Sequence, residues 1–317
     1  MLELLISIAL ILVGFILLVW SADMLVDNAS ILANRLGIST FIVGVVIIGF
    51  GTSAPEMFVS AMAALENKGN LALGNALGSN ITNIGLVLGS AALISTLRVS
   101  KSTATKDIPI VILTGLLAVY LVSDGVLTAI DGYLLLGVLA TYLIVSALTD
   151  KQADHSDEMP EDDVKKSTAL YCLLTIVSII ILMAASKMLV IGSTDIARLM
   201  GVGELMIGLT IVAIGTSLPE LAAAVAAARK GVHDMIIGNI VGSNIFNTLG
   251  VLGIMGAIQQ TNIDTSVLGR DFPVMFAFTV LMLLFALTKR SYSRFAGTIM
   301  VIGYIAYVCY LIVSEIK

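Results

Sequence analysis

Charge is scarce in this chain. Of its 317 residues only 12% are Asp, Glu, Lys or Arg, whereas soluble globular domains carry about 25%. The net charge is −5, which argues against a nucleic-acid partner, because such binding relies on basic surface. Hydrophobic residues make up 58% of the sequence, and the mean hydropathy is +1.04. The composition therefore predicts an all-α integral membrane protein whose surroundings are the lipid bilayer.

Cysteine and histidine are equally rare. Cys172 and Cys309 both lie in apolar runs, so we expect small buried side chains and no disulfide. His155 and His233 both fall between the apolar runs. Without a histidine inside a membrane span, a zinc site, a histidine proton relay and a Ser–His protease are all disfavoured. We expect neither an enzyme nor a bound cofactor.

Long apolar runs occur along the whole chain, and each is close to the ~20 residues that cross a bilayer. The first run begins without Lys or Arg and has no cleavage-site pattern, so we predict a retained membrane helix. The predicted spans are 2–24, 40–65, 71–95, 108–123, 130–148, 169–192, 204–228, 235–258, 272–288 and 295–313.

One long polar segment separates the fifth span from the sixth. Residues 149–168 hold seven acidic residues and three lysines, without the spacing of an EF-hand loop. The loops on this side of the predicted membrane hold 12 Lys and Arg residues, and the opposite loops hold 4. The positive-inside rule then makes residues 149–168 a cytoplasmic acidic linker and puts both termini outside.

The second predicted span contains Gly-Thr-Ser-Ala-Pro-Glu at residues 51–56, and the seventh contains Gly-Thr-Ser-Leu-Pro-Glu at 215–220. The same offset of 164 residues relates Gly-Ser-Asn at 78–80 to Gly-Ser-Asn at 242–244. We therefore predict two homologous five-helix repeats, residues 1–148 and 169–317. Because five is odd, the second repeat is inverted in the membrane, which places a binding site near the midplane where the halves meet.

The repeated motifs put one glutamate in each of two membrane spans. Burying a carboxylate there costs roughly 2.5–3.5 kcal/mol, and no basic residue lies near Glu56 or Glu220 in its span. The prolines that precede them are expected to free the carbonyls of Gly51 and Gly215 from helical hydrogen bonds. Carboxylates, hydroxyls and carbonyls are hard oxygen ligands that suit Ca²⁺ or Na⁺.

The third and eighth spans supply further polar side chains at helical spacing. Ser79 and Asn83 are four residues apart, and the eighth span repeats this pattern. We expect these four side chains to complete an oxygen cage. The other amides are either ligands or interhelical hydrogen bonds; they are Asn75, Asn80, Asn239 and Asn244. Asp23 and Lys187 occupy equivalent positions near span ends and are left out of the predicted site.

Both copies of Gly-Thr-Ser-x-Pro-Glu and of Gly-Ser-Asn-Ile-x-Asn make the chain resemble the calcium/cation antiporter superfamily, in particular small prokaryotic sodium/calcium exchanger-like members. The resemblance implies ten transmembrane helices, alternating access and Ca²⁺ export driven by Na⁺ entry across the plasma membrane. It also implies that the first and sixth helices slide past the others. By position, it implies the ion ligands Glu56, Glu220, Thr52, Ser53, Thr216, Ser217, Ser79, Asn83, Ser243 and Asn247, with the carbonyls of Gly49 and Ala213.

Alternatives to this assignment remain. Superfamily members that also carry K⁺ have aspartate where this chain has Asn247, so we expect no K⁺ requirement. Other relatives exchange H⁺ for Ca²⁺, and the same glutamates would then carry protons. A channel is disfavoured because two buried glutamates on related helices make a closed cage instead of an open ring.

Overall fold

The computed structural model describes residues 2–149, 167–201, 211, 213–264 and 267–316. Almost all of these residues are helical. The helices are α1 Leu2–Leu36, α2 Thr40–Leu65, α3 Gly69–Ile94, α4 Thr103–Leu121, α5 Ala129–Thr149, α6 Thr168–Leu199, α7 Ala213–Thr216 with Leu218–Lys230, α8 His233–Ile258, α9 Val267–Lys289 and α10 Arg294–Ile316. Within the described ranges, nine helices are long and apolar enough to span a membrane.

The predicted all-α membrane fold is confirmed, but several helix ends differ from the prediction. Helices α4 and α9 begin five residues before their predicted starts at 108 and 272, and the largest differences are at the ends of α1 and α6. The first predicted span ends at residue 24 and the sixth at residue 192, whereas α1 continues to Leu36 and α6 to Leu199. Many of the residues after position 24 are polar, but the apolar residues between them, Val26, Ala29 and Ala33, are buried. A hydropathy window misses such amphipathic extensions. The start of the seventh predicted span and most of the 149–168 linker lie outside the described residues.

Helices α3 and α8 form the centre of the molecule. Of their most apolar stretches, 72% of α3 and 89% of α8 is buried, against 17% for α5. The outer helices expose large apolar side chains, as expected beside lipid. The prediction of two buried cysteines is wrong: Cys172 is half-buried and Cys309 is exposed, both as free thiols. The outer surface of this fold faces lipid and not water, so a small apolar side chain gains little from being buried inside the protein.

Corresponding helices of the two halves pack in corresponding ways. Helix α10 packs against α3, and α5 packs against α8. Helices α1 and α6 lie antiparallel, with Gly14 beside Ala185 and Gly192 beside Ser7. Each such contact joins one half to the other, as an inverted repeat requires.

Two short strand pairs also cross between the halves. Strand β1, Leu97–Arg98, pairs with β4, Ser291–Tyr292. Strand β2, Val126–Leu127, pairs with β3, Thr261–Asn262. Both pairs are antiparallel, and in each the loop between the third and fourth helices of one half pairs with the loop between the fourth and fifth helices of the other. The inverted arrangement places one strand pair at each face of the membrane.

Candidate ion-binding site

In the first half, the Gly-Thr-Ser-Ala-Pro-Glu motif lies immediately after a wide helical turn. Residues Val43–Gly49 form a π-helical turn, and Phe50–Leu65 then continues as an α-helix with Pro55 inside it. π-Helical turns are frequent at functional sites because the extra residue realigns the side chains that follow. Here the turn is followed by Thr52, Ser53 and Glu56, all of which are buried.

In the second half, the matching motif is broken. Helix α7 stops at Thr216, Ser217 has non-helical angles (φ −93°, ψ 5°), and a new helix begins at Leu218 with Pro219 in its first turn. Proline is well tolerated there because the first helical N–H groups have no intrahelical partner. The break leaves Ser217 and Glu220 buried and Thr216 half-buried. The two copies of one motif therefore adopt different backbone structures.

The carbonyl of Gly215, expected to be free for a cation, has a partner. The Ser186 hydroxyl of α6 donates a hydrogen bond to this carbonyl oxygen at 2.7 Å. The position equivalent to Ser186 in the first half is Ala22, which has no hydroxyl to donate. Pro219 has no N–H to donate to this carbonyl, which is therefore freed from its usual helical partner as expected, and the Ser186 hydroxyl takes that place. No repeat pattern pointed to Ser186.

The walls supplied by α3 and α8 are alike. A π-helical turn covers Asn83–Leu88 in α3 and Phe246–Val251 in α8. The two predicted ligands Asn83 and Asn247 lie at the starts of these turns and are each 1% exposed. Ser79 and Ser243 lie one helical turn earlier and are also buried. The predicted four polar side chains thus lie in equivalent places on the two central helices.

The two halves meet at the glutamates. The negative charge of Glu56 acts on the Glu220 carboxylate of the other half, and the Thr52 hydroxyl of α2 lies 3.5 Å from Asn239 Oδ1 of α8. Glu56 and Glu220 are both 2% exposed. Among the described residues, no group of three or more His, Cys, Asp or Glu side chains is placed to hold a metal. A cation here would therefore need neutral oxygen ligands beside the carboxylates.

Such oxygens are present and have no protein partner. Six buried oxygen atoms of the predicted site accept no hydrogen bond: Ser53 Oγ, Glu56 Oε1 and Oε2, Glu220 Oε2, Asn83 Oδ1 and Asn247 Oδ1. Buried polar groups are normally paired, and an unpaired buried charge is especially unfavourable. The donor set fits a hard cation.

Small residues allow α8 to approach α2 at this level. A side chain at Gly242 would meet the Val45 carbonyl oxygen at 2.5 Å, and one at Gly49 would meet the Ser243 nitrogen at 3.1 Å. Only glycine permits backbones to come this close. The wide turn of α2 is therefore in backbone contact with the part of α8 that carries Ser243.

The additional amides mostly form protein hydrogen bonds. Asn80 donates to Thr248 at 2.8 Å, Asn244 donates to the Ile240 carbonyl at 2.8 Å, and Asn75 donates to Ser60 at 3.4 Å. Asn239 differs, because its Oδ1 accepts from Ser243 at 3.4 Å and lies 3.5 Å from the Thr52 hydroxyl oxygen. These contacts favour the structural alternative for Asn75. The Oδ1 atoms of Asn80 and Asn244 are buried without a partner, so both alternatives remain for these two residues, and Asn239 contacts two predicted ligands.

Comparison with known families decides the assignment. A family model described as sodium/calcium exchanger protein matches residues 6–148 and 170–313. The chain belongs to the sodium/calcium exchanger family. It is 42% identical to the Alkalimonas amylolytica protein named "Putative antiporter CaxA", over 94% of this chain and 96% of that protein. It is 36% identical to the inner membrane protein YrbG of Escherichia coli (strain K12), over 97% of both.

Comparison with solved structures supports the same family. The fold superposes on the sodium-calcium exchanger NCX_Mj with a TM-score of 0.85 and 30% sequence identity, over 96% of this chain and 99% of that chain. Sodium/calcium exchangers are transporters and not a class of enzyme. The family and the fold together support cation/Ca²⁺ antiport by this multi-pass membrane protein.

Proposed function

We propose that this exchanger couples Na⁺ entry to Ca²⁺ export by alternating access, with one shared site between its halves. The observation that carries the proposal is the pair of buried glutamates with unpartnered carboxylate oxygens at the junction of α2 and α7. An empty site with two close charges is costly, whereas a bound Ca²⁺ or bound Na⁺ ions neutralise it. That penalty disfavours movement of the empty carrier and so couples the two fluxes.

The proposed ligands come equally from both halves. Glu56 and Glu220 bind both ions, with the neighbouring hydroxyls and amides around them. Thr52 donates its proton to the Ile48 carbonyl at 2.9 Å, so its oxygen lone pairs are available to a cation. The remaining proposed ligands are Ser53, Thr216, Ser217, Ser79, Asn83, Ser243 and Asn247, together with the carbonyls of Gly49 and Ala213.

Ion choice follows from the charge of this set. Asparagine at positions 83 and 247 leaves two formal charges, which one Ca²⁺ neutralises without a further cation. We therefore propose exchange without K⁺. Sodium is favoured over protons because a cage of neutral hydroxyls and amides assists a metal ion and does nothing for a proton. A relative named sodium/calcium exchanger MaX1, from Methanosarcina acetivorans, is 27% identical over 95% of this chain.

We also propose the orientation that the distribution of basic residues predicts. The two five-helix domains, 1–148 and 169–317, then lie in a plasma membrane with both termini outside. The 149–168 linker lies in the cytoplasm, where it connects the end of α5 to the start of α6. Accessibility of a single introduced cysteine in this linker to an impermeant thiol reagent tests the orientation in intact cells, with exposed Cys309 replaced by alanine.

Ca²⁺ uptake into proteoliposomes tests the coupling ion. Vesicles loaded with Na⁺ are compared with matched vesicles that have only a pH gradient. We expect uptake that needs internal Na⁺, survives a protonophore and is unchanged when K⁺ is replaced by choline. Uptake that follows the pH gradient and ignores Na⁺ would instead assign the chain to H⁺/Ca²⁺ exchange through the same glutamates.

A further inference from the structure

Lys230, the last residue of α7, is bound to α1. Its ammonium lies 2.6 Å from Asp27 Oδ1 and donates to the Asp23 carbonyl at 2.8 Å. The Asp23 carboxylate is 3.9 Å away. The Lys230 side chain is 28% exposed and that of Asp27 is 61% exposed, so this ion pair lies at the protein surface. We name this contact, formed by Lys230 with Asp23 and Asp27, the first latch. It joins a central helix to one of the two long outer helices.

The other half contains the same pair with its charges exchanged. The offset of 164 residues relates Asp23 of α1 to Lys187 of α6. It also relates Glu66, which follows the last residue of α2, to Lys230, the last residue of α7. The first half thus has an acid on its first helix, whereas the second half has a base there. The charges at the ends of α7 and α2 are reversed as well, with the base Lys230 opposite the acid on α1 and the acid Glu66 available to the base on α6. Two independent positions that change sign together preserve the attraction.

In the structure this second pair is not formed. Lys187 is exposed and makes no ion pair with any residue that the structure describes. Glu66 instead pairs with Lys68 at 2.7 Å, and this contact lowers the pKa of Glu66, so its carboxylate is charged at neutral pH. Helix α1 also packs along α7 more extensively than α6 packs along α2. The molecule is therefore closed at one latch and open at the other.

The inverted repeat suggests a reason why one ion pair is formed and the equivalent pair is not. In such transporters access changes sides when one helix bundle rocks or slides against the other around a fixed site, and two related halves with opposite orientations can exchange their packing in that movement. The contact that α1 makes with α7 in one state is then made by α6 with α2 in the other. We propose that Lys187 and Glu66 form a second latch, and that the two latches alternate, each closing one side of the membrane. This inference rests on the proposed alternating-access exchange.

The two latches differ in strength. The first gives one ammonium two carboxylates and a backbone carbonyl, while Ile191 stands where a second charged residue would complete the second latch. Lys68 also competes for Glu66. The resting carrier consequently favours closure at the end of α7, which is the cytoplasmic side in the proposed orientation. Opening there requires breaking the stronger latch.

Crosslinking tests whether the second latch forms. Cys172→Ala/Cys309→Ala serves as the parent, into which Glu66→Cys and Lys187→Cys are introduced, and a short thiol crosslinker is added to vesicles. We expect slow crosslinking, accelerated about fivefold by Lys230→Gln, a change typical of modest coupling between states. Arg229→Gln is the matched control, since it removes the neighbouring charge from an exposed residue. Equal acceleration by both variants, or no crosslink in an exchanging parent, would overturn the proposal.

Charge exchange tests whether attraction itself matters. Glu66→Lys and Lys187→Glu should each slow Ca²⁺ exchange several-fold, and the double variant Glu66→Lys/Lys187→Glu should restore it to within about twofold. If the effects of the two single substitutions on the exchange rate simply combine in the double variant, the two residues do not pair.

Failure of this proposal is distinguishable from failure of the proposed exchange. Crosslinking depends on spontaneous switching and not on which ion is carried. A parent that does not exchange Na⁺ for Ca²⁺, yet crosslinks faster with Lys230→Gln, would overturn the coupling ion alone. A parent that exchanges normally but never crosslinks would overturn the second latch alone. A parent that neither exchanges nor crosslinks would overturn both.

Discussion

At the scale of single residues, the most informative side chains are those without partners. Glu56 has two unpaired oxygens and Glu220 one, each beyond the reach of any described cation. Such groups are retained only when a ligand compensates for them, because burial otherwise penalises the charge. Their state should therefore control both ion binding and stability, and in opposite directions.

Replacing either glutamate by glutamine separates these effects. Glu56→Gln and Glu220→Gln should each reduce Ca²⁺ exchange about 100-fold or more, since each removes half of the compensating charge. Without Ca²⁺ the variants should unfold at or above the parent's temperature, because a buried charge has gone. Flux in proteoliposomes and thermal unfolding with and without Ca²⁺ are the measurements. Exposed Glu3→Gln is the control; normal exchange by Glu56→Gln would refute the site.

Ser186 shows what a repeated motif does not reveal. Ser186→Ala should lower stability by about 1 kcal/mol or more, because the Gly215 carbonyl loses its buried partner. Ser178→Ala is the matched control on the same helix, since its buried hydroxyl bonds only to the Leu174 carbonyl one turn earlier. Chemical unfolding in detergent measures both. Equal losses would mean that the α6–α7 bond carries no particular stability.

At the scale of helices, identical motifs gave different structures. The sequence led us to expect the same local effect of Pro55 and Pro219, a carbonyl freed four residues earlier in each helix. The structure instead has a continuous helix in one half and a break at Ser217 in the other. Local propensity is the same in both, so the difference arises from neighbours, such as the Ser186 hydroxyl that satisfies the Gly215 carbonyl. Hydropathy predicted most helix boundaries to within two or three residues, but it missed the starts of α4 and α9 by five residues and the extensions of α1 and α6, where buried alanines lie among polar residues.

The α2–α8 crossing makes a prediction about helix packing. Gly242→Ala would bring a methyl group against the Val45 carbonyl, so α8 must move away and carry Ser243 and Asn247 with it. We expect a loss of about 1–3 kcal/mol in stability and a weaker response to Ca²⁺. Thermal unfolding across a Ca²⁺ titration measures both.

The control for that substitution is Gly137→Ala. Gly137 is exposed, lies inside α5 and has no described atom near its missing side chain. Alanine is the better helix former there, so the variant should match or slightly exceed the parent in stability. If Gly242→Ala behaves in the same way, close backbone approach is not what positions the site.

At the scale of the whole molecule, the sequence predicts two equivalent halves, and the structure shows where the two halves differ. The offset of 164 residues correctly predicted two matching sets of helices and equivalent places for Asn83 and Asn247. It could not predict which side is closed, because both halves carry equivalent motifs. Among the described residues Lys230 forms an ion pair and Lys187 forms none. This difference reflects the conformation together with the replacement of Asp27 by Ile191 at the equivalent position.

A carrier built from two inverted halves should run in either direction. Proteoliposomes loaded with Na⁺ should take up Ca²⁺, and reversing the Na⁺ gradient should release it, because one site serves both ions from both sides. Initial rates should saturate with Ca²⁺ and fall when Na⁺ competes on the same side. Vesicles with Glu220→Gln provide the background. Flux that rises linearly with Ca²⁺ and continues without a counter-ion would indicate a channel and contradict the shared site.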